Sequence, residues 1–464
     1  MKRLLFTLLA TGLLLNSVLE AHPWKPDHYV IIDTDCGLDD YRAINLMMAS
    51  PNIRILAIIA SNGVIQSEEG YQKIKSLLKT NYYEGVLVGL NESKTQTYKN
   101  CKPAIEFDWG DKVECETHSY EEILNQVFEN STEKITFINL GGLNTYDGYF
   151  IKHPNYEKRV KEILWTVNPK NIRDNFNFLI DSLSYNSLKD RVDITLINGA
   201  SFHNYTDELV GKLKLQSEDL YRSLSIAGSD FTRAMYDEST VFYLLSKDVF
   251  SVDTTGKVFS YSLRPDINIE KVYLDLLNSI GQVQTQVFSQ FSIDTSDYIQ
   301  DIQLIMGSTI HRFGKEEWSA CVLTSELHRH LGVYSLIGAK MGIRAKEYFG
   351  AGPDELKILS FAGLTPPFSC LNDGLQVSTG ATLGHGLISV DENMKLPKAD
   401  FEYLGQKITI SLKEEYRKKI ASEIKELSLI YGLDSNIYWD LVRKLAIKYW
   451  SEWDRHVIFE IEIK

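Results

Sequence analysis

The sequence predicts an α/β fold: a doubly wound, mostly parallel sheet in the first half, followed by a smaller α+β unit. Three observations predict it. Short apolar runs that read as strands buried on both faces alternate with stretches of helical periodicity. Polar residues collect just after those runs, where open α/β sheets bind their ligands. The chain has 464 residues, too many for one ordinary core, and its second half carries a different pattern of histidine, cysteine and small residues.

The first element holds the densest chemistry. Tyr29–Ile32 reads as a buried strand, Gly37 permits a tight turn, and Tyr41–Ala49 has helical apolar spacing. Between them lie Asp33, Asp35, Asp39 and Asp40, four carboxylates within eight residues. They repel one another, so either some carry raised pKa values or a cation neutralises them. Oxygen ligands of this kind suit calcium or magnesium rather than zinc. The plain alternative is a solvated acidic turn, but capping a helix uses only one such residue.

The next elements follow in order. Ile53–Ala60 is a second strand ending in Ser61-Asn62-Gly63, and Ser67–Leu78 is a helix. Gly85–Leu90 is a third strand, and Asn91–Glu116 is a polar surface excursion. Ser119 and Glu122 form a capping box that opens a helix. Lys134–Leu140 is a strand followed by Gly141–Asn144, and Glu162–Val167 and Val192–Ile197 complete the strand set.

Taken in order, these residues resemble the inosine-uridine-preferring nucleoside hydrolases. Asp33–Asp40 resembles their D-x-D-x-G-x-D-D signature, and Asn62 falls where they keep an asparagine. Gly141–Asn144 resembles their G-P-L-T turn, Asp174–Asn177 their E-F-N motif with Asp181 after it, and Met235–Glu238 their late H-D pair. The resemblance covers roughly Tyr29–Pro265. It implies an N-glycosidase whose Ca2+ is held by Asp35, Asp40, Asp237 and the Asn144 carbonyl. Asp35 is then the general base toward water. Asp39, Asn62, Asn175 and Asn177 are the implied ribose-side residues. Two departures matter: Asn175 replaces the motif's glutamate, and Tyr236 replaces the histidine that protonates the leaving base. A tyrosine, of unperturbed pKa about 10, is a weaker acid at neutral pH. The implied partner is a nucleoside or another ribosyl small molecule. A non-catalytic ribosyl-binding protein is the alternative.

Asp266–Ser289, Tyr298–Arg312 and Glu316–Leu327 look helical, and the join between the halves falls between Arg264 and Lys315. The expected division is a signal peptide at 1–21, a hydrolase-like domain at 28–265, a helical connection at 266–315 and a second domain at 316–464. In that second domain, Glu326–Gly332 contains His328 and His330, and the small-residue-rich stretch Val333–Phe349 reads as a helix. Leu356–Ala362 is a strand; Cys370, Asp373, Gln376 and the turn Ser378–Gly386 follow. Helices are expected at Lys413–Tyr431 and Ser435–Tyr449. The stretch Thr324–Asp391 resembles the family of E-type subunits of formylmethanofuran dehydrogenase, departing at Arg329, where that family has glycine. With that resemblance, His328, His330 and Cys370 form a second metal set, imidazole and thiolate suiting Zn2+ or Fe. A metal-handling protein whose function lies in this half is a further alternative.

Composition bounds the partners. Net charge is −13 with no Lys/Arg run, which argues against a nucleic-acid polymer. Lys2, Arg3, the apolar run Leu4–Leu15 and Ala21 read as an export signal, giving a secreted or periplasmic protein with no membrane span once it is removed. Of the five cysteines, Cys101 and Cys115 are the pair expected to bridge. By analogy with the hydrolases, a homo-oligomer is expected.

Overall fold

The computed structural model describes residues 25–95, 100–202, 204–214, 233–255, 258–280, 283 and 285–464. The expected export signal, Met1–Ala21, lies outside them. Eight strands build the first sheet: β1 (His28–Thr34), β2 (Ile53–Ala60), β3 (Leu87–Leu90), β4 (Ile135–Asn139), β5 (Val160–Thr166), β6 (Ile194–Ile197), β7 (Phe250–Thr255) and β8 (Val258–Leu263). Their order is β3-β2-β1-β4-β5-β6-β8-β7, and every pair is parallel except β7 with β8. The chain winds outward from β1 through β2 and β3, then returns and winds the other way from β4. The crevice between β1 and β4 is therefore the topological switch point.

Alternation along β1 explains why it is buried on both sides. Val30 and Ile32 face one core with Ile44 and Met47 of the helix Leu38–Ala49. Ile31 faces the other with Phe137, Tyr146 and Phe150. All eight residues of β2 are buried. The β7–β8 hairpin goes beyond the expected strand set. It sits at the sheet edge, and β8 is mostly half-buried, so its apolar pattern is diluted.

The helix expected over Asp266–Ser289 is confined to Ile269–Ile280, and residues 286–290 are exposed bends. The two helices expected at Tyr298–Arg312 and Glu316–Leu327 lie within one element, Gln300–His328, kinked at Gly314 where φ is +85°. A side chain is disfavoured in that conformation.

The second sheet contains β9 (Lys357–Ser360), β10 (Ile388–Val390), β11 (Lys398–Tyr403), β12 (Gln406–Leu412) and β13 (Phe459–Ile463), in the order β10-β9-β11-β12-β13. Only β9 and β10 pair in parallel. The helix Val333–Phe349 is almost wholly buried because its small residues admit close neighbours. A Cβ on Gly338 would stand 2.2 Å from the Leu371 carbonyl oxygen, and one on Gly374 2.1 Å from that of Ser335. The helix Leu371–Thr379 can therefore lie directly against it.

The second unit docks on the amino-terminal rim of the first sheet. Arg54, early in β2, donates to Glu355 (2.8 Å) and to the Gly350 carbonyl (3.0 Å). The Gly85 amide, just before β3, donates to the Tyr348 carbonyl (2.7 Å), and Arg344 pairs with Glu84 (2.7 Å). Tyr82 stacks on His456 with ring centroids 3.5 Å apart. Cys101 and Cys115, expected to bridge, are both free thiols; Cys115 instead donates to Gln72 at 3.6 Å.

Candidate active site

The acidic turn lies at the carboxyl end of β1, beside the switch point. Asp33 is fully buried: Ser61 donates to one of its oxygens (2.8 Å) and Thr145 to the other. Burial pushes its carboxyl up to about 7. Asp35 is 2 % exposed and accepts from the Val64 amide at 3.1 Å. Glycines make room for it. A Cβ on Gly63 would stand 2.1 Å from its Oδ2, and one on Gly141 3.1 Å from its Cβ. Burial, then the neighbouring Asp40 and Asp39, drive its pKa well up.

Asp40 accepts from the Thr34 hydroxyl and from the Gly37 amide (3.1 Å), and burial with Asp39 pushes it to about 6. Asp237 immediately precedes the helix Glu238–Leu245, and burial, Asp39 and Asp40 raise it well above the usual range. One oxygen each from Asp39, Asp40 and Asp237 lie within 4.8 Å of one another, the only such group of potential metal ligands among the described residues. Asp237 Oδ1 is buried without a hydrogen-bond partner. A Cβ on Gly37 would stand 2.7 Å from Asp40 Oδ2 and 2.8 Å from Asp39 Oδ1, so both carboxylates fold back over this glycine. Oxygen donors held this closely, one of them unpartnered, fit a hard divalent cation such as calcium.

Of the residues expected around the cation, Asp40 and Asp237 group with Asp39, and Asp35 Oδ2 accepts from the Val64 amide. Asn144 opens the helix Asn144–Lys152, and its amide oxygen accepts from Asn91 at 3.3 Å. Asn62 is engaged at both ends: it donates to the Ser93 carbonyl (3.1 Å) and accepts from the Ser67 amide (3.0 Å). Asn177 donates to the carbonyls of Leu140 (2.6 Å) and Thr166 (2.9 Å), which commits both its N–H groups and leaves its oxygen. Asn175 caps the next short helix through its oxygen and donates to the Tyr236 hydroxyl at 2.5 Å. Burial and the adjacent Asp237 drive the Tyr236 pKa far up.

Sequence reasoning missed a buried ion pair beside the acidic cluster. Arg42 and Glu238 form an ion pair with side-chain exposures of 1 % and 0 %, joined by Tyr205 and Tyr273. The available signal was an arginine inside the apolar run Tyr41–Ala49, since a buried charge requires a partner.

In the second unit, His328 Nδ1 meets Asp373 at 2.7 Å, and His328 Nε2 is buried without a partner. The His328 and His330 rings lie 4.3 Å apart, and His330 also meets Trp439 edge-on at 5.9 Å. Burial and Asp373 raise the Cys370 thiol. His328, His330 and Cys370 do not gather into a three-ligand group within 4.8 Å as the acidic cluster does.

Fold and site together define a doubly wound α/β protein with a buried acidic cluster at the switch point. The chain belongs to the inosine-uridine preferring nucleoside hydrolase family, which residues 30–310 match, and is by class an N-glycosidase. Residues 327–431 match a second family, described as FmdE, molybdenum formylmethanofuran dehydrogenase operon. Among solved structures, a plant nucleoside hydrolase is similar at 16 % identity over 52 % of this chain and 89 % of its own, with a TM-score of 0.44. A purine-preferring ribonucleoside hydrolase from Gardnerella vaginalis is 15 % identical over 54 % and 98 %, with a TM-score of 0.44. An inosine-uridine preferring nucleoside hydrolase from Bacillus anthracis is 15 % identical over 55 % and 98 %, with a TM-score of 0.40. No curated protein matches the chain.

Proposed function

We propose that the chain is an exported, calcium-dependent nucleoside hydrolase that cleaves an N-ribosyl bond with water activated by Asp35. The observation that carries this reading is the convergence of Asp39 and Asp40 with Asp237, from distant parts of the chain, around an unpartnered carboxylate oxygen. Calcium held by these residues, with Asp35 and the Asn144 carbonyl as the family resemblance implies, supplies positive charge that offsets the carboxylates and polarises oxygen ligands.

Asp35 takes a proton from the attacking water, whose oxygen bonds to the anomeric carbon while the C–N bond breaks toward the base. Asp33 stays fixed between Ser61 and Thr145 behind it. With both N–H groups of Asn177 engaged by carbonyls, its oxygen is the group left to accept from a ribose hydroxyl. Because Asn175 donates to the Tyr236 oxygen, the tyrosine's own hydrogen remains available to the leaving base. Its raised pKa makes it a weak acid, so good leaving groups are the favoured substrates. The same observation favours a second reading, a nucleoside-binding protein without turnover.

Base release from natural nucleosides and from p-nitrophenyl riboside, with calcium and with chelator, separates the two. Calcium-dependent release that disappears in Asp35→Ala supports the enzyme. No release from either substrate by calcium-bound protein leaves the binding reading. In the second unit we assign His328, with His330 and Cys370, to a Zn2+ or Fe site. Asp373 on Nδ1 orients His328 as partners of metal-bound histidines do. Unchanged metal content in His328→Ala and Cys370→Ala would remove that assignment. Export rests on Met1–Ala21, and a mature amino terminus just after Ala21 is the expected finding on sequencing the secreted protein.

A further inference from the structure

We infer that Arg42 is a positioning residue for the cation site: it staples the segment carrying Asp237 to the helix carrying Asp39 and Asp40. The inference rests on the calcium reading above. The three carboxylates come from segments almost 200 residues apart in the chain, Asp39 being separated from Asp237 by 198 positions. As anions they would repel one another, so their convergence calls for a contact between the two segments outside the cluster.

Arg42 makes the connection. It lies in the helix Leu38–Ala49, within one turn of Asp39 and Asp40. Its guanidinium reaches both flanks of the Tyr236-Asp237 turn. Nε donates to Glu238, immediately after Asp237, and Nη2 donates to the Ala234 carbonyl (2.6 Å), three residues before it. Glu238 is held in turn by the Tyr205 hydroxyl at 3.0 Å, and Tyr205 by Tyr273 at 2.8 Å. The backbone repeats the link: the Tyr205 amide donates to the Arg233 carbonyl (2.8 Å), and Asn204 forms a bridge with Ala234. A buried ion pair is weak evidence for stability, because desolvation opposes the attraction. Its contribution here is geometric. Two fixed acceptors on one planar fork set where Asp237 stands, which a single ammonium cannot do.

The test is calcium titration of the full chain by calorimetry after chelator treatment, on wild type, Arg42→Met, Arg42→Lys, Glu238→Gln and the double variant Arg42→Met/Glu238→Gln. Circular dichroism and thermal melts in chelator monitor folding. Positioning predicts calcium binding weakened by roughly 10–100-fold in Arg42→Met, as for other residues that orient metal ligands. The double variant, which leaves net charge unchanged, should be equally weak. Arg42→Lys should fall between, and it carries the test if the methionine variants do not fold. Wild-type affinity restored in the double variant would show that Arg42 acts only as compensating charge, and overturns the inference. Wild-type affinity in every folded variant overturns it as well, while leaving the calcium site intact. A wild-type chain that binds no calcium overturns the calcium reading and this inference with it.

Discussion

Gly63→Ala tests whether Asp35 stands where the chemistry requires it. Gly63 does not have a positive φ, so alanine carries no backbone penalty there. Its demand is space alone: the new Cβ would lie 2.1 Å from Asp35 Oδ2 and 2.6 Å from Asp35 Cβ. Ordinary contact begins at 3.4 Å, so the carboxylate must retreat by about 1.3 Å. A misplacement of about 1 Å costs roughly 100-fold in rate, or about 2.7 kcal/mol of transition-state stabilisation. The assay is release of p-nitrophenol from the activated riboside in calcium, with kcat and KM measured separately and a thermal melt alongside. The expected outcome is a fall in kcat of at least that size, with the unfolding midpoint lowered by an overpacking cost of roughly 1–3 kcal/mol because Asp35 Cβ must move too. Gly307→Ala is the control: nothing lies within 4 Å of its added carbon, and in a helix alanine should stabilise by roughly 1 kcal/mol without touching activity. A Gly63→Ala enzyme with wild-type kcat would refute the placement of Asp35 as the base.

Three further outcomes are expected. Arg329 is exposed at φ +66°, a left-handed conformation that costs a side chain about 1 kcal/mol, so Arg329→Gly should raise unfolding stability by that amount in urea titrations. Glu317, fully buried between Lys340 and Arg455, leaves uncompensated charge when removed, so Glu317→Ala should cost roughly 3 kcal/mol by the same measurement. For His456, burial works to lower the pKa, but hydrogen bonds to Asp454 and Glu347 outweigh it and the net shift is upward. Its contribution is therefore complete below the unfolded value of about 6.5 and is lost as pH rises through the folded value. The stability deficit of His456→Gln should be larger at acid than at alkaline pH, and a pH-independent deficit would contradict the assignment.

The acidic turn was legible because its residues are contiguous and their crowding is itself unusual. The helix Val333–Phe349 was legible because its small residues announce close packing. Edge elements were harder. Strand β8 is half-buried along most of its length, which leaves little contrast for a pattern to show. Long-range partners left no local trace: neither Arg42 nor Glu238 names the other across 196 residues. The histidine pair shows how local geometry intervenes. Histidines at i and i+2 share a face on a strand but not on a helix. Here the helix ends at His328, and Arg329 turns left-handed, bringing the two rings within 4.3 Å.

The docking of the second unit on the amino-terminal rim has a consequence for how the two halves share one chain. Tyr29, whose hydroxyl meets Glu355 across the junction at 3.4 Å, stands at one end of β1, and Asp35 lies just past the other. They are six positions apart, roughly 20 Å at the rise of extended chain. The acidic cluster therefore lies at the opposite end of β1 from the rim on which the second unit docks. Covalent fusion in this arrangement fixes a one-to-one ratio of the two units while keeping the acidic cluster clear of the junction.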